Sequence, residues 1–296
     1  MATNTELETV MKNEIYWRGI IVPAVTPMKD PYTVDLPAVQ KHFDYMIAGG
    51  VNGIFILGTT GEGPAIGHGE QRKFIRESVK AVAGRVPLLV GISEASGTDT
   101  LEMGQFALEA GADGLVAAVP CYLPPSDEDI YNFYQTLSET FPRKVFIYNM
   151  PGMCKVNLKP KLVVELLKLE GIAGYKDSSG VIEDLKYVVE RTAKPCFVGP
   201  EHLTMDAMSF GAAGGVNGGA NLYPELFASL VKSIDSNDTA ARDAAQAEIL
   251  SIQKIYGPAP CANSCICGLK LELERKGLMR NITAFPLQPL KEPLYD

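Results

Sequence analysis

The sequence has little histidine, less basic than acidic charge and no long hydrophobic run. Its three histidines, His42, His68 and His202, are too few to favour a histidine-rich metal site or a Ser-His-Asp triad. Lysine and arginine number 27 against 35 aspartates and glutamates, giving a formal net charge of −8. We therefore expect binding to neither nucleic acid nor anionic membrane surfaces. No apolar run approaches the roughly 20 residues that a membrane-spanning helix needs.

Targeting and cofactor motifs are also missing. The first residues, MATNTELETVMKNE, lack a basic segment followed by an apolar one, so we expect no secretory signal and interpret residues 1–18 as an N-terminal arm. No G-x-S-x-G or Rossmann fingerprint occurs. Six cysteines are present, and Cys261, Cys265 and Cys267 form a C-x3-C-x-C pattern that is not a usual zinc spacing. We expect reduced thiols, no metal and a cytoplasmic location.

What the sequence does contain is an alternation repeated eight times. Short apolar runs begin near Gly19, Gly53, Val86, Gly114, Lys144, Gly171, Cys196 and Gly214. Segments of helical periodicity separate them, at 36–47, 68–82, 98–109, 126–141, 158–169, 182–192 and 202–210. This pattern is typical of a parallel sheet covered by helices, either an open doubly wound sheet or a closed barrel. Eight units in about 205 residues favour a (β/α)8 TIM barrel.

The domain organisation follows from the same pattern. We assign the barrel to residues 19–222 and a C-terminal helical extension to residues 223–296, with helices at 223–233, 239–256 and 261–276. No linker or low-complexity segment separates the two parts. The sequence therefore predicts a single domain.

Lys176, in GIAGYKDSSG at the end of the sixth apolar run, is the first candidate for chemistry. Side chains alternate along a strand, so Lys176 faces the barrel interior if Gly174 does. Burial favours the neutral amine that attack on a carbonyl requires. The alternative is a lysine that extends from the strand end to solvent.

Two further elements lie at the same end of the barrel. The alternation in KVFIYNMPG sends Tyr148 inward beside Lys176, where its phenol can relay protons, although a barrel-layer aromatic residue is the alternative. The loop GTTGEG, residues 58–63, contains Gly58, Thr59 and Thr60, whose backbone N–H groups and hydroxyls can bind a carboxylate. A simple tight turn remains an alternative. The glycine-rich run 211–221 also resembles a phosphate site, but no basic residue lies close to it.

Together, GTTGE, YNMPG and GYKDSSG make the chain resemble the dihydrodipicolinate synthase/N-acetylneuraminate lyase family, which includes the 2-keto-3-deoxy sugar acid aldolases and dehydratases. The resemblance runs from about Gly19 to at least Asn221. It implies a class I aldolase-type barrel that acts on pyruvate and an aldehyde. It also implies a homotetramer, a dimer of dimers, without a metal or organic cofactor.

The resemblance also implies roles for individual residues. Lys176 would form the Schiff base, and Tyr148 would transfer protons. Thr59 and Thr60 would hold the keto acid carboxylate, with Thr59 hydrogen-bonded to Tyr148. Other residues expected at the substrate are Gly58, the backbone carbonyl of Val216, Ser178, Glu201, and Tyr122 reaching into a neighbouring subunit.

One departure from the family bears on the substrate. Dihydrodipicolinate synthases resemble YNxPxRT after the tyrosine, with an arginine for the second substrate's carboxylate, whereas this chain has Met153 there. We therefore expect a lyase or aldolase for a 2-keto-3-deoxy sugar acid. The alternatives are an N-acetylneuraminate lyase, a dihydrodipicolinate synthase, a 2-keto-3-deoxy acid dehydratase, a phosphosugar enzyme and a non-catalytic keto-acid-binding barrel.

Overall fold

The computed structural model describes residues 17–257 and 264–292, in which eight parallel strands close into a barrel. The barrel strands are almost entirely buried, as expected of parallel strands covered by helices on one side and filled on the other. Their hydrogen-bonded order around the barrel follows the chain, with the last strand closing on the first. They are β1 (Gly19–Pro23), β4 (Gly53–Ile56), β5 (Leu88–Gly91), β6 (Gly114–Ala118), β7 (Val145–Asn149), β8 (Ile172–Asp177), β9 (Cys196–Val198) and β10 (Gly214–Val216). The predicted (β/α)8 barrel is confirmed.

Helices surround the barrel and pack their apolar faces on it. On α1, for example, Val39, Phe43 and Met46 are buried at the three- and four-residue spacing of one helical face. The helices are α1 (Leu36–Ala48), α2 (His68–Val82), α3 (Gly97–Ala110), α4 (Asp127–Thr140), α5 (Pro151–Cys154), α6 (Pro160–Leu166), α7 (Ile182–Val189), α8 (Thr204–Ser209), α9 (Pro224–Asp235), α10 (Thr239–Tyr256) and α11 (Ser264–Arg275).

The predicted helix bounds match those of α2 and α10 and lie within one residue of those of α1, α3 and α4, whereas the other helices differ more. The segment predicted at 158–169 forms only α6, which starts at Pro160, a residue suited to the first helical turn. The segment predicted at 202–210 divides into a 3-10 turn, Glu201–Leu203, followed by α8. The last predicted helix began at Cys261, which lies outside the described residues, as does most of the N-terminal arm.

Apart from 3-10 turns, a hairpin and one short helix of the described residues were not predicted. An antiparallel hairpin, β2 (Met28–Asp30) and β3 (Thr33–Val34), follows the first barrel strand. The short helix α5 follows the fifth. Both are too short to show a periodicity in the sequence.

The barrel interior is filled by aromatic rings in its lower part. A Cβ at Gly174 would lie 2.5 Å from the ring of Phe146, and Phe146 packs on Trp17 with ring centroids 5.0 Å apart. Gly174 therefore faces inward, which by alternation sends Lys176 inward as well.

No helix within residues 17–257 and 264–292 is both long and apolar enough to cross a membrane.

Candidate active site

Lys176 lies at the carboxyl end of β8, with 6% of its surface exposed. Its Nζ atom is 4.0 Å from the ring centroid of Tyr148 and 4.9 Å from that of Phe55, which projects from β4. Among the described residues, no hydrogen bond or ion pair engages this nitrogen. The lysine therefore presents an amine to the barrel interior between two aromatic rings, and the predicted inward direction is confirmed.

Tyr148 occupies the position on β7 directly paired with Lys176. It is 5% exposed, and its hydroxyl is 3.4 Å from Oγ1 of Thr59, which follows β4. The phenol thus connects the lysine to the loop after the second barrel strand. A phenol in this place can transfer protons to and from a molecule bound at the amine.

The loop from Gly58 to Gly63 has the geometry of an anion-binding turn. Leu57 and Glu62 on either side of the threonines have left-handed backbone conformations, with φ of 57° and 56°. The backbone N–H groups of Thr59 and Thr60 donate to no acceptor in the described part of the chain. Successive free N–H groups in such a turn form a concave site for an anion, and the threonine hydroxyls add donors.

Neighbouring elements hold this loop from two sides. The hydroxyl of Thr26, after β1, donates to the carbonyl of Gly61 at 2.6 Å. On the other side, the buried Gln71 amide of α2 donates to the carbonyls of Gly63 and Ile66 at 3.0 and 2.9 Å. The conformation of the loop is therefore fixed by the barrel around it.

Gly58 has a structural reason to be glycine. A Cβ at this position would lie 2.5 Å from the ring of Phe55, the same ring that stands beside Lys176. A larger residue would have to displace that ring from the lysine. Phe55 was missed in the sequence because an apolar residue in an apolar strand carries no distinguishing signal.

Behind the two candidate catalytic side chains, the residues that follow each of them form a buried network. Asn149 and Asp177 are paired in register across β7 and β8, and the Asn149 amide donates to the Asp177 carboxylate at 2.9 Å. The same amide donates to Asn157, while Tyr175 and Ser179 donate their hydroxyls to Asp177 at 3.1 and 2.8 Å. The network thus joins the two strands at the level of the lysine.

The electrostatics of Asp177 follow from this burial. Desolvation raises the pKa of the Asp177 carboxyl above its ordinary value, while hydrogen bonds from Ser179, Asn149 and Tyr175 oppose that rise. Burial and the neighbouring Asp177 also raise the pKa of Tyr175 well above its ordinary range. Tyr175 therefore acts as a neutral hydrogen-bond donor on the outer side of β8, unlike Tyr148 on the inner side.

Ser178 and Val216 lie at the same end of the barrel. Ser178 immediately follows β8, and its backbone N–H donates to the carbonyl of Asn149 at 2.9 Å. Its hydroxyl oxygen lies 2.1 Å from the point that a Cβ at residue 199 would occupy, so Ser178 packs closely against Gly199. Val216 is the last residue of β10 and pairs with Ile21 of β1. Both residues are therefore placed at the carboxyl edge, where barrel enzymes build their sites.

Glu201 is placed differently from the prediction of a substrate contact. Its side chain is buried, and one oxygen accepts the hydroxyl of Tyr256 at 2.6 Å and the amide of Gln253 at 3.3 Å, both from α10. The other oxygen accepts the backbone N–H of Gly219. Burial raises the pKa of this carboxyl, and these hydrogen bonds oppose the rise. With both oxygens engaged inside the protein, the described contacts give no support to a role in binding substrate.

The glycine-rich run 211–221 is likewise occupied by protein contacts. Asn217 bonds to Thr204 and to the carbonyl of Gly199, and Asn221 bonds to the backbone of Pro23 and Val25. The backbone N–H of Gly219 faces the Glu201 carboxylate. A carboxylate at that N–H repels phosphate, which weakens the phosphosugar alternative.

Tyr122 and Met153 are both exposed. Tyr122 follows β6 and is 87% exposed, so within this chain its ring is left largely uncovered. Met153 is 41% exposed on α5, the short helix that follows Tyr148. The structure therefore does not bury either residue with the cluster around Lys176.

Comparison with known proteins places this barrel in a family. The model of the dihydrodipicolinate synthetase family matches residues 16–296. A 4-hydroxy-tetrahydrodipicolinate synthase of Methylibium petroleiphilum is 31% identical over 278 residues, covering 93% of this chain and 94% of that protein. An uncharacterized DapA-like lyase of Thermococcus kodakarensis is 30% identical over 283 residues, covering 94% and 93%.

Solved structures agree. Dihydrodipicolinate synthase from Bacteroides thetaiotaomicron superimposes with a TM-score of 0.89 at 32% identity, covering 94% of this chain and 95% of that one. YagE, an E. coli prophage protein of the dihydrodipicolinic acid synthase family crystallised with pyruvate, gives a TM-score of 0.88 at 25% identity, covering 93% and 94%. The protein is thus a carbon–carbon lyase of the class I aldolase, Schiff-base-forming type. It belongs to the dihydrodipicolinate synthetase family.

Proposed function

We propose that Lys176 forms a Schiff base with the C2 carbonyl of a 2-keto acid, pyruvate being the keto acid released or consumed. The observation that carries this proposal is the unpaired Lys176 amine between the rings of Tyr148 and Phe55. The free N–H groups of Thr59 and Thr60 are suited to the keto acid carboxylate. The pyruvate complex of YagE supports the choice of keto acid.

Cleavage of the keto acid then proceeds through a Schiff base and an enamine. The neutral Lys176 amine adds to C2, and the carbinolamine loses water to give a protonated imine. Tyr148 takes the proton from the C4 hydroxyl, the C3–C4 bond breaks, and its electrons pass into the imine to leave an enamine and an aldehyde. A proton returns to C3, and water hydrolyses the imine to release pyruvate and restore the lysine. Addition of the enamine to an aldehyde is the reverse reaction.

We further propose that the substrate is a 2-keto-3-deoxy sugar acid. Met153 stands where dihydrodipicolinate synthases carry the arginine for the second substrate's carboxylate, and a thioether offers no charge to a carboxylate. Ser178, at the carboxyl edge, is suited to a substrate hydroxyl. Dihydrodipicolinate synthesis is the second candidate, because the relatives at about 30% identity include proteins named as synthases.

The quaternary arrangement is also part of the proposal. The ring of Tyr122 is 87% exposed and lies on the loop after β6, as expected of a residue that completes a neighbouring subunit's site. We propose a homotetramer in which Tyr122 acts in this way. Sedimentation analysis, together with turnover by a Tyr122→Ala variant, tests it; a fully active monomer would contradict it.

Two measurements test the function. Borohydride reduction in the presence of pyruvate should add the mass of a reduced pyruvate imine to the peptide that contains Lys176, and a Lys176→Ala variant should show no adduct. Absence of the adduct in the wild-type enzyme would overturn the Schiff-base assignment. Turnover across 2-keto-3-deoxy sugar acids, N-acetylneuraminate, and pyruvate with aspartate semialdehyde then decides the substrate. Preference for aspartate semialdehyde would overturn the sugar-acid assignment.

A further inference from the structure

Glu62 and Lys270 form an ion pair inside the protein, 208 positions apart in the sequence. Both side chains have 0% of their surface exposed. Glu62 belongs to the GTTGEG loop, whereas Lys270 belongs to α11 in the C-terminal extension. Charged side chains are almost never fully buried unless paired, so each residue depends on the other for its place in the core.

Each partner makes a second bond to the segment after α11, residues 276–292, which we call the C-terminal tail. The backbone N–H of Ala284 donates to Glu62 Oε1 at 2.8 Å. The Lys270 ammonium donates to the carbonyl of Ile282, also at 2.8 Å. Loop, helix and tail therefore meet at one buried junction.

The backbone of Glu62 connects this junction to the proposed keto-acid site. Its N–H donates to the carbonyl of Thr59 at 3.0 Å, closing the turn that contains Thr59 and Thr60. Its left-handed conformation, φ 56°, is unfavourable for a residue other than glycine or asparagine, so the turn needs external contacts to keep it. The side chain of the same residue receives those contacts from the C-terminal extension.

Stability alone does not account for such a pair. Desolvation of two buried charges offsets most of their attraction, and an apolar pair of similar volume is often as stable. Burial lowers the pKa of Lys270, and the Glu62 carboxylate opposes this shift. A buried ion pair fixes the relative position of the two segments that carry it, because the two charges are satisfied only when they face each other.

We propose that Glu62 and Lys270 are positioning residues, through which the C-terminal extension sets the conformation of the Thr59–Thr60 turn and so the affinity for the keto acid. This inference rests on the proposed function, in which that turn binds the carboxylate. It assigns to α11 and the segment that follows it a part in substrate binding, exerted through Glu62.

The test compares Glu62→Gln, Lys270→Met and the double variant with the wild-type enzyme. For each protein, adduct on Lys176 is trapped with borohydride at a series of pyruvate concentrations, and the concentration that gives half of the maximal adduct is determined. KM and kcat for the keto acid substrate are measured as well. We expect half-saturation and KM to rise about tenfold in Glu62→Gln, with a much smaller change in kcat. Lys270→Arg keeps the positive charge and should therefore bind pyruvate more tightly than Lys270→Met, with most of the wild-type affinity.

Asn281→Ala is the matched control. It removes a bond between the Asn281 amide and the carbonyl of Leu290 in the same tail, at 2.7 Å, without touching Glu62. It should leave half-saturation by pyruvate at the wild-type value. If a single variant does not fold because it leaves one buried charge unpaired, the double variant decides, since it removes both charges.

The outcomes separate this inference from the proposed function. Adduct formation in folded Glu62→Gln or double-variant enzyme at the wild-type half-saturation would overturn the inference alone. A fall in kcat with unchanged half-saturation would overturn it too, because the pair would then act on the chemical step rather than on the turn. Absence of adduct in the wild-type enzyme would overturn the proposed function, and the inference with it.

Discussion

His42 gives the protein a built-in sensitivity to acid whose size follows from its surroundings. The residue lies on the inner face of α1 with 0% of its surface exposed, and neither ring nitrogen makes a hydrogen bond to a described residue. Burial lowers the pKa of its imidazole from 6.5 to about 3, although the nearby backbone of Asn221 opposes the shift. The folded protein therefore holds this histidine neutral at every pH at which the enzyme is expected to work.

The sign follows from proton binding. Below its ordinary pKa, the imidazole of the unfolded chain takes up a proton that the folded chain does not accept until about pH 3. Acidification from pH 6.5 towards pH 3 therefore favours unfolding. Between pH 7.5 and pH 5, a folded pKa of about 3 gives a loss of about 2 kcal/mol from this one residue.

The assay is urea unfolding of wild-type and His42→Leu enzyme at several pH values from 7.5 to 5, at one protein concentration. The leucine changes packing by a pH-independent amount, so the difference between the two proteins isolates the histidine. We expect that difference to shift by about 2 kcal/mol in favour of the leucine variant as the pH falls. A His42 difference constant to within about 0.5 kcal/mol would refute the reasoning.

Three further predictions concern the site. Tyr148→Phe should lower kcat by roughly 10²- to 10⁴-fold while borohydride still traps pyruvate on Lys176, since the proton relay is lost but the amine remains; an unchanged kcat in steady-state assays would contradict this. Asp177→Asn should lower the free energy of unfolding by about 2 kcal/mol in urea, because each described partner of this carboxylate donates to it; equal stability would contradict the network. Tyr256→Phe should cost about 1.5–3 kcal/mol without changing KM, since the hydroxyl serves the buried Glu201; a raised KM for the sugar acid would instead restore the predicted substrate contact of Glu201.

Local pattern was enough to predict the barrel and the direction of its central side chains. The eight apolar runs became the eight barrel strands, because continuous burial and β-branched composition distinguish such strands from the amphipathic helices between them. Alternation placed Lys176 and Tyr148 on the inner side, and their atoms do meet there. Both inferences were possible because each depends on a pattern that repeats at a fixed spacing between residues close together in the sequence.

Features without a period were not predictable. The hairpin Met28–Val34 and the helix α5 are shorter than the windows in which periodicity is measured. Phe55 looked like any other strand residue, although its ring contacts the lysine. Glu201 was predicted at the substrate because it begins a loop after a barrel strand and because the family carries polar groups there. Its partners on α10, more than 50 positions later, gave no local signal.

Two buried glutamates in loops at the carboxyl edge, Glu62 and Glu201, point to what the C-terminal extension contributes. Glu62, after β4, joins Lys270 of α11, and Glu201, after β9, joins Tyr256 of α10. In both cases a buried carboxylate from a barrel loop meets a donor from the extension, and a buried carboxylate without its donors is strongly destabilising. The barrel loops and the extension therefore depend on each other for their polar contacts. For that reason the loops at the carboxyl edge of this barrel are not independent of the rest of the chain, because two of them are held by helices α10 and α11.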